Sequence, residues 1–216
     1  MDVTENFLEP LAIDGFQAAF IGRIAEVAVD TDRDATIARL LPFHESEIEK
    51  LGFTWENTCR AEQVHGGGVA VVRDCQGSMV PAVDGLITNI PRVLLAIYVA
   101  DCGAVYLIDE KNKAIGLVHS GKKGTDAKIT RVALDKMAEE YGTIPSDVIA
   151  VLAPCIRPPA YDCDFAAKIR KTLVDAGVKK YFDCGICTSS NLKKYYSYRI
   201  EQGATGRMLA LLGIEA

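Results

Sequence analysis

The sequence is poor in histidine, in tryptophan and in long apolar runs. Three histidines and one tryptophan occur in 216 residues. The longest unbroken apolar stretch is Val93–Ala100, far below the ~20 residues that a membrane-spanning helix needs. Positive charge is not in excess either: the formal net charge is −5 and the sequence pI ≈ 5.3. An acidic chain is poorly suited to nucleic acid or to an anionic membrane surface, so neither is expected as a partner. Met1-Asp2-Val3-Thr4-Glu5 opens acidic, without the basic and apolar regions of a secretory signal. The seven cysteines are odd in number, which prevents complete pairing within one chain. They read as reduced thiols in a cytoplasm, the expected location.

What is present is a globular composition, 49% hydrophobic and 25% charged, which excludes a disordered or fibrous chain. No Pro/Ser-rich linker or internal repeat interrupts it, so one domain over 1–216 is expected. Apolar runs predict strands at Phe16–Phe20, Val69–Val72, Gly85–Thr88, Val93–Val99, Ala104–Ile108, Ile115–Val118 and Val148–Leu152. Most are unbroken rather than alternating, as in strands buried on both faces. Glu110–Lys113 reads as a hairpin turn. Helices are predicted at Asp32–Leu41, Glu45–Leu51, Thr125–Tyr141 and Phe165–Ala176, the last two closed by Gly142 and Gly177. The tail reads as a strand at Tyr195–Arg199, then a short helix from about Gly206. Strands and helices mix without clean alternation. That predicts an α+β fold of mixed β-sheets flanked by helices, not a doubly wound sheet.

His44, in Pro42-Phe43-His44-Glu45, reads as a surface histidine in a loop. His65 and His119 differ, because each stands at a strand end followed by glycine. Cys102 lies between two apolar strands. Such positions are where scaffolds hold working groups. Two histidines and one cysteine can bind Zn²⁺ and leave a fourth position open. Their wide separation forms no compact ligand motif, and a buried Cys102 beside unrelated histidines is the plainer alternative on pattern alone. Ser120-Gly121-Lys122-Lys123-Gly124-Thr125 feeds the best helix and offers an anion site, without being a P-loop. A solvated turn is the alternative there. Asp84 and Asp101 border apolar strands and could act as general acid or base beside a metal-bound water. Cys155, Cys163, Cys184 and Cys187 leave a closed zinc site open as an alternative, with packing as their default role.

Several fragments, taken in order, carry a resemblance. They are Gln63-Val64-His65-Gly66, Asp84-Gly85-Leu86-Ile87-Thr88-Asn89, Ala100-Asp101-Cys102, Val118-His119-Ser120-Gly121 with Gly124, and Ala153-Pro154-Cys155-Ile156. Tyr196-Ser197-Tyr198-Arg199 and Thr205-Gly206-Arg207-Met208 complete the series. Together they resemble the YfiH family, also called multicopper polyphenol oxidase (laccase) domain proteins or purine nucleoside phosphorylase/adenosine deaminase-like proteins. The resemblance implies a fold related to the Cys-His hydrolase domain of cytotoxic necrotizing factor toxins. It implies a zinc held by His65, Cys102 and His119. It also implies phosphorolysis of adenosine, inosine or methylthioadenosine, and deamination of adenosine, with nucleoside and phosphate as small-molecule partners. Catalytic roles then fall to Asp84, Asp101, Cys102 and His119. Substrate or phosphate contacts fall to Arg23, Gln63, Lys122, Lys123 and Arg199.

The sequence departs from the family pattern around those contacts. The usual His-x-Gly-Trp-Arg-Gly reads His119-Ser120-Gly121-Lys122-Lys123-Gly124, and the N-terminal Ser-Thr-Arg-x-Gly-Gly survives only as Ile21-Gly22-Arg23. A lysine cannot give arginine's planar bidentate grip on phosphate. The metal trio is intact while the substrate-facing shell is altered. Three other readings follow. One is a copper-dependent polyphenol oxidase, since this donor set also suits copper, although a laccase-type cluster needs more imidazoles than this chain has. Another is a metal-free hydrolase with Cys102 as nucleophile and His119 as base. The third is a relative that has lost turnover.

Overall fold

The computed structural model describes residues 6–216. Its apolar runs and a few shorter, more polar segments form two sheets. The first contains β1 (Phe16–Ile21), β2 (Thr58–Ala61), β4 (Met79–Val80), β6 (Leu94–Val99) and β11 (Met208–Ile214), in the order β1-β11-β6-β2-β4. The second contains β3 (Val69–Val71), β5 (Gly85–Thr88), β7 (Gly103–Asp109), β8 (Ala114–Ser120), β9 (Ile149–Leu152) and β10 (Lys180–Asp183), in the order β10-β9-β7-β8-β5-β3. Both sheets mix parallel and antiparallel pairs. β6, β7, β8 and β11 are buried at every position, as strands covered on both faces must be. β8 packs against β6 and β11 of the other sheet. A buried tyrosine also ties the sheets: the Tyr106 hydroxyl donates to the Ala19 carbonyl at 2.7 Å.

Helices cover this pair of sheets. α3 (Ile129–Tyr141) and α4 (Phe165–Asp175) lay Ile129, Ala133, Met137, Phe165, Ile169 and Leu173 on the second sheet. Each of these side chains except Ala133 contributes roughly 1.5–3 kcal/mol on burial. α1 (Arg33–Lys50) joins the core of the first sheet through Leu40 and Ile48. Asp32 caps it, its carboxylate accepting from the backbone N–H of Asp34 and Ala35, each at 3.0 Å. Among the described residues, no helix is long and apolar enough to cross a membrane.

The α+β architecture agrees with the sequence reading; several elements do not. The two helices expected around Pro42 are one, α1, with Pro42 inside it. The missing N–H costs helical stability, and packing of the residues on either side offsets it. The helix expected from Thr125 is broken into α2 (Lys122–Asp126) and α3 by Lys128, at φ +55°. Tyr195–Arg199 is not a strand. The Arg199 N–H goes to a side chain, Asp101, at 2.7 Å. The tail helix is instead β11, an inner strand paired with β1 and β6. A short, wholly apolar segment reads the same as buried strand or buried helix.

His44 is also corrected: it is buried inside α1, with its ring 5.6 Å from that of Tyr98. Among the described residues, neither ring nitrogen has a hydrogen-bond partner. Burial alone holds its pKa down to about 4, against about 6.5 in the unfolded chain. The unfolded state therefore binds the proton first as pH falls. Stability from the neutral ring is complete above pH 6.5 and is lost toward pH 4, by about 3 kcal/mol. His44→Leu should lack this contribution to the acid slope. Urea unfolding of both proteins at pH 7 and pH 4.5 checks it; equal slopes would mean that His44 is not held neutral.

Candidate metal centre and cavity

Three segments bring the candidate donors together. His65 lies in the loop that follows β2 of the first sheet. Cys102 occupies the short connection from β6 to β7, where the chain leaves the first sheet for the second. His119 is on β8 of the second sheet and is buried. The ligand atoms of His65, Cys102 and His119 all lie within 4.8 Å of one another. The two imidazoles meet edge to face at 4.9 Å between centroids. Among the described residues this is the one group of three or more metal-capable side chains so placed. Cys155, Cys163, Cys184 and Cys187 are not placed as such a group among the described residues. Gly121 is required here, because a Cβ would lie 2.5 Å from the Cys102 sulfur.

Asp84 organises two of the three donors. It is fully buried just before β5. Oδ1 accepts from the His65 N–H at 2.8 Å and lies 2.8 Å from His119 Nδ1, while Oδ2 accepts from the Gly66 N–H at 2.7 Å. Burial pushes its carboxyl up, but these hydrogen bonds outweigh it and hold it below the usual range. An ionised carboxylate only accepts, so Nδ1 carries the hydrogen and Nε2 is left for a metal. A carboxylate behind a ligating histidine is the expected support of such a site. Burial raises the Cys102 thiol, yet hydrogen bonds from His119 and His65 bring it down to about 6. Burial disfavours the charged His119, yet Asp84 and Cys102 raise it to about 9.

The trio opens into a cavity of about 840 Å³. Gln63, Asp101, Lys122, Lys123 and Arg199 line it. Gln63 grips β6 with both ends of its amide: Nε2 donates to the Tyr98 carbonyl at 2.5 Å, and Oε1 accepts from the Tyr98 N–H at 2.9 Å. Asp101, at φ +80°, uses one oxygen for the Thr188 hydroxyl (2.6 Å) and the other for the Arg199 N–H (2.7 Å). Lys122 and Lys123 are exposed. The Arg199 guanidinium stacks 4.9 Å over the Tyr161 ring. Arg23 is not in the lining. It pairs with Glu201 at 2.5 Å and covers the Tyr196 ring at 4.2 Å. Sequence reasoning assigned no role to Arg33, Arg207, Tyr98, Tyr161 or Tyr198, all of which line the cavity. Arg207 stood in a quoted motif; Arg33 had no signal beyond its place at a helix start.

A family model described as multi-copper polyphenol oxidoreductase laccase matches residues 32–164 and 160–215. The chain belongs to this family. Two similar relatives are a purine nucleoside phosphorylase named YlmD from Bacillus subtilis and a purine nucleoside phosphorylase from Deinococcus radiodurans. The first is 31% identical over 62% of this chain and 59% of the relative. The second is 32% identical over 76% of this chain and 73% of the relative. The match thus spans somewhat over half of the first relative's length. The crystal structure of YlmD from Geobacillus stearothermophilus superposes with a TM-score of 0.87 at 26% identity, covering 96% of this chain and 94% of that one. The laccase-family description implies a copper-type metal, and the His65–Cys102–His119 group supplies suitable donors for one ion.

Proposed function

We propose that this chain is a zinc-dependent enzyme of purine nucleosides. It would phosphorolyse adenosine, inosine or methylthioadenosine, deaminate adenosine, or do both. The observation that carries the reading is the trio of His65, Cys102 and His119 opening into a cation-lined cavity, in a chain whose relatives bear the phosphorylase name. The donors fit zinc: two imidazoles and a thiol, with Asp84 holding Nε2 of His119 free. When bound with an open position, zinc supplies Lewis acidity toward a substrate atom. The remaining work belongs to the chain. Tyr98, Tyr161 and Tyr198 offer aromatic faces for a purine. The cations of the wall, Arg33 and Arg207 among them, make the cavity attractive to phosphate. Asp84 is bonded at both oxygens, so it holds His119 rather than moving protons. Asp101 is the carboxylate in the cavity wall.

In phosphorolysis the N-glycosidic bond to C1′ breaks and a phosphate oxygen bonds C1′. Zinc-loaded protein given adenosine or inosine should then release the free base and ribose 1-phosphate only when phosphate is present. Deamination should turn adenosine into inosine without it. Neither product from protein with one zinc per chain would reject the reading. The three histidines are too few for a multicopper cluster of the laccase type.

One observation favours a second reading. Cys102, His119 and Asp84 form a chain of nucleophile, base and orienting carboxylate. Metal-free protein should take up iodoacetamide at Cys102 at pH 7, more slowly below pH 6 as the thiolate is lost. His119→Ala and prior zinc loading should each suppress the labelling. An unlabelled metal-free Cys102 would dispose of the hydrolase.

A further inference from the structure

We propose that Arg207 and Arg33 form the clamp that holds phosphate in this cavity, in place of the lysine loop and Arg23. The inference rests on the nucleoside–phosphate reading above. The chain carries a net charge of −5, yet five cations line the cavity against one carboxylate, Asp101. That carboxylate is already bonded to Thr188 and to the Arg199 backbone. A dianion is the partner that such a lining lacks.

The cations are not equivalent. Arg23 is spent on Glu201, outside the lining. Lys122 and Lys123 are exposed, and their mobile ammonium groups act as point charges. Arg199 lies over Tyr161. Arg207 is different: it is only part-exposed, and Nη1 donates to the carbonyls of Thr205 at 3.2 Å and Gly206 at 2.8 Å. Those bonds fix the plane of the guanidinium. Among the described residues, its Nε and Nη2 have no acceptor and remain for a ligand. The loop that presents it is itself constrained, because a Cβ at Gly206 would overlap the Tyr196 ring.

Among the described residues, Arg207 forms no ion pair, and Arg33 pairs only with its exposed neighbour Asp34 at 3.1 Å. Burial lowers the Arg207 pKa, and the positive charge of Arg33 lowers it further. Two guanidiniums that line one cavity, one of them bonded to no carboxylate, repel each other until an anion joins them. The fork geometry of arginine fits two phosphate oxygens at once.

Titration calorimetry of inorganic phosphate into the zinc-loaded protein tests the clamp. Arg207→Gln and Arg33→Gln should each weaken phosphate by about tenfold or more, with one zinc per chain retained. Arg207→Lys keeps the charge but not the fork, and should also bind weakly while melting like the parent. The double variant Lys122→Gln/Lys123→Gln should lose less than about threefold. In turnover, KM for phosphate should rise in Arg207→Lys while KM for the nucleoside holds. Wild-type-like phosphate affinity in the arginine variants, or loss confined to the lysine variant, would overturn the clamp. So would a parent protein that binds no phosphate. If the parent binds phosphate through the arginines but turns over no nucleoside, the clamp stands and the nucleoside reading falls. If turnover occurs with phosphate KM unchanged in Arg207→Lys, the reading stands and the clamp falls.

Discussion

Replacing Cys102 with alanine should strip the metal from the protein. His65 and His119 come from separate segments, and two neutral imidazoles alone are a poor site for a divalent ion. Cys102 supplies the one anionic donor: with the thiol held down to about 6, it is thiolate at neutral pH, and the proton that metal displaces comes from His119, held up to about 9. Loss of an outer partner commonly costs 10–100-fold in metal affinity. Loss of the thiolate itself should cost more than about 100-fold. Metal per chain, read by mass spectrometry, should fall from about one to near zero. The rise in Tm on adding zinc should vanish as well, since a ligand stabilises only the state that binds it. Zinc retained at full stoichiometry would point to the cysteines around Cys184–Cys187 and undo the site.

Asp84→Asn should weaken metal by about 10–100-fold and destabilise the fold by about 1–3 kcal/mol, although the side chain is nearly isosteric. The native carboxylate accepts three hydrogen bonds, from the His65 and Gly66 backbone and from His119 Nδ1. An amide offers one oxygen. If its NH₂ faces Gly66, two donors oppose each other in a fully buried place. If it faces His119, it donates to Nδ1, and the ring hydrogen moves to Nε2, the nitrogen needed for metal. Either way the loop of His65 and Gly66 loses one of its two anchors. A chelator-competition titration reads the affinity, and urea unfolding of the metal-free protein reads the stability. Unchanged values in both would mean that Asp84 is ordinary filler.

Much of the frame is legible in the residues. Ala104–Ile108 and Ile115–Val118 announce β7 and β8 because a buried hairpin has no polar face to show. The Glu110–Lys113 turn is legible because Asp109 is placed to accept from Asn112, through its N–H at 3.1 Å and its side-chain amide at 2.7 Å. β11 is misread for the same reason that β7 is read: a continuous apolar run states burial, not conformation. His44 is misread because its loop-like surroundings conceal the sheet that covers it. β4 escapes because it is only two residues long, and β2 and β10 because they are short and partly polar. At the site, the donors are visible as strand-end residues, but their convergence is not, since it depends on which sheet each strand joins. Asp84 is visible as a carboxylate beside a strand. That it serves a loop and a neighbouring strand at once is a matter of tertiary position alone.

The junction at Cys102 has a mechanical consequence. One donor hangs from the first sheet, one stands on the second, and one sits at the turn that joins them. The spacing of the trio is therefore a gauge of how the sheets are aligned. Apolar packing resists separation of the layers but gives little directional resistance to slip along their plane. Directional ties between the layers include the bond from Tyr106 to Ala19 and, at the donors themselves, the bond from the His65 N–H to Asp84. A substitution that shifts one layer against the other would therefore move His119 relative to His65 and be read as a change in metal affinity.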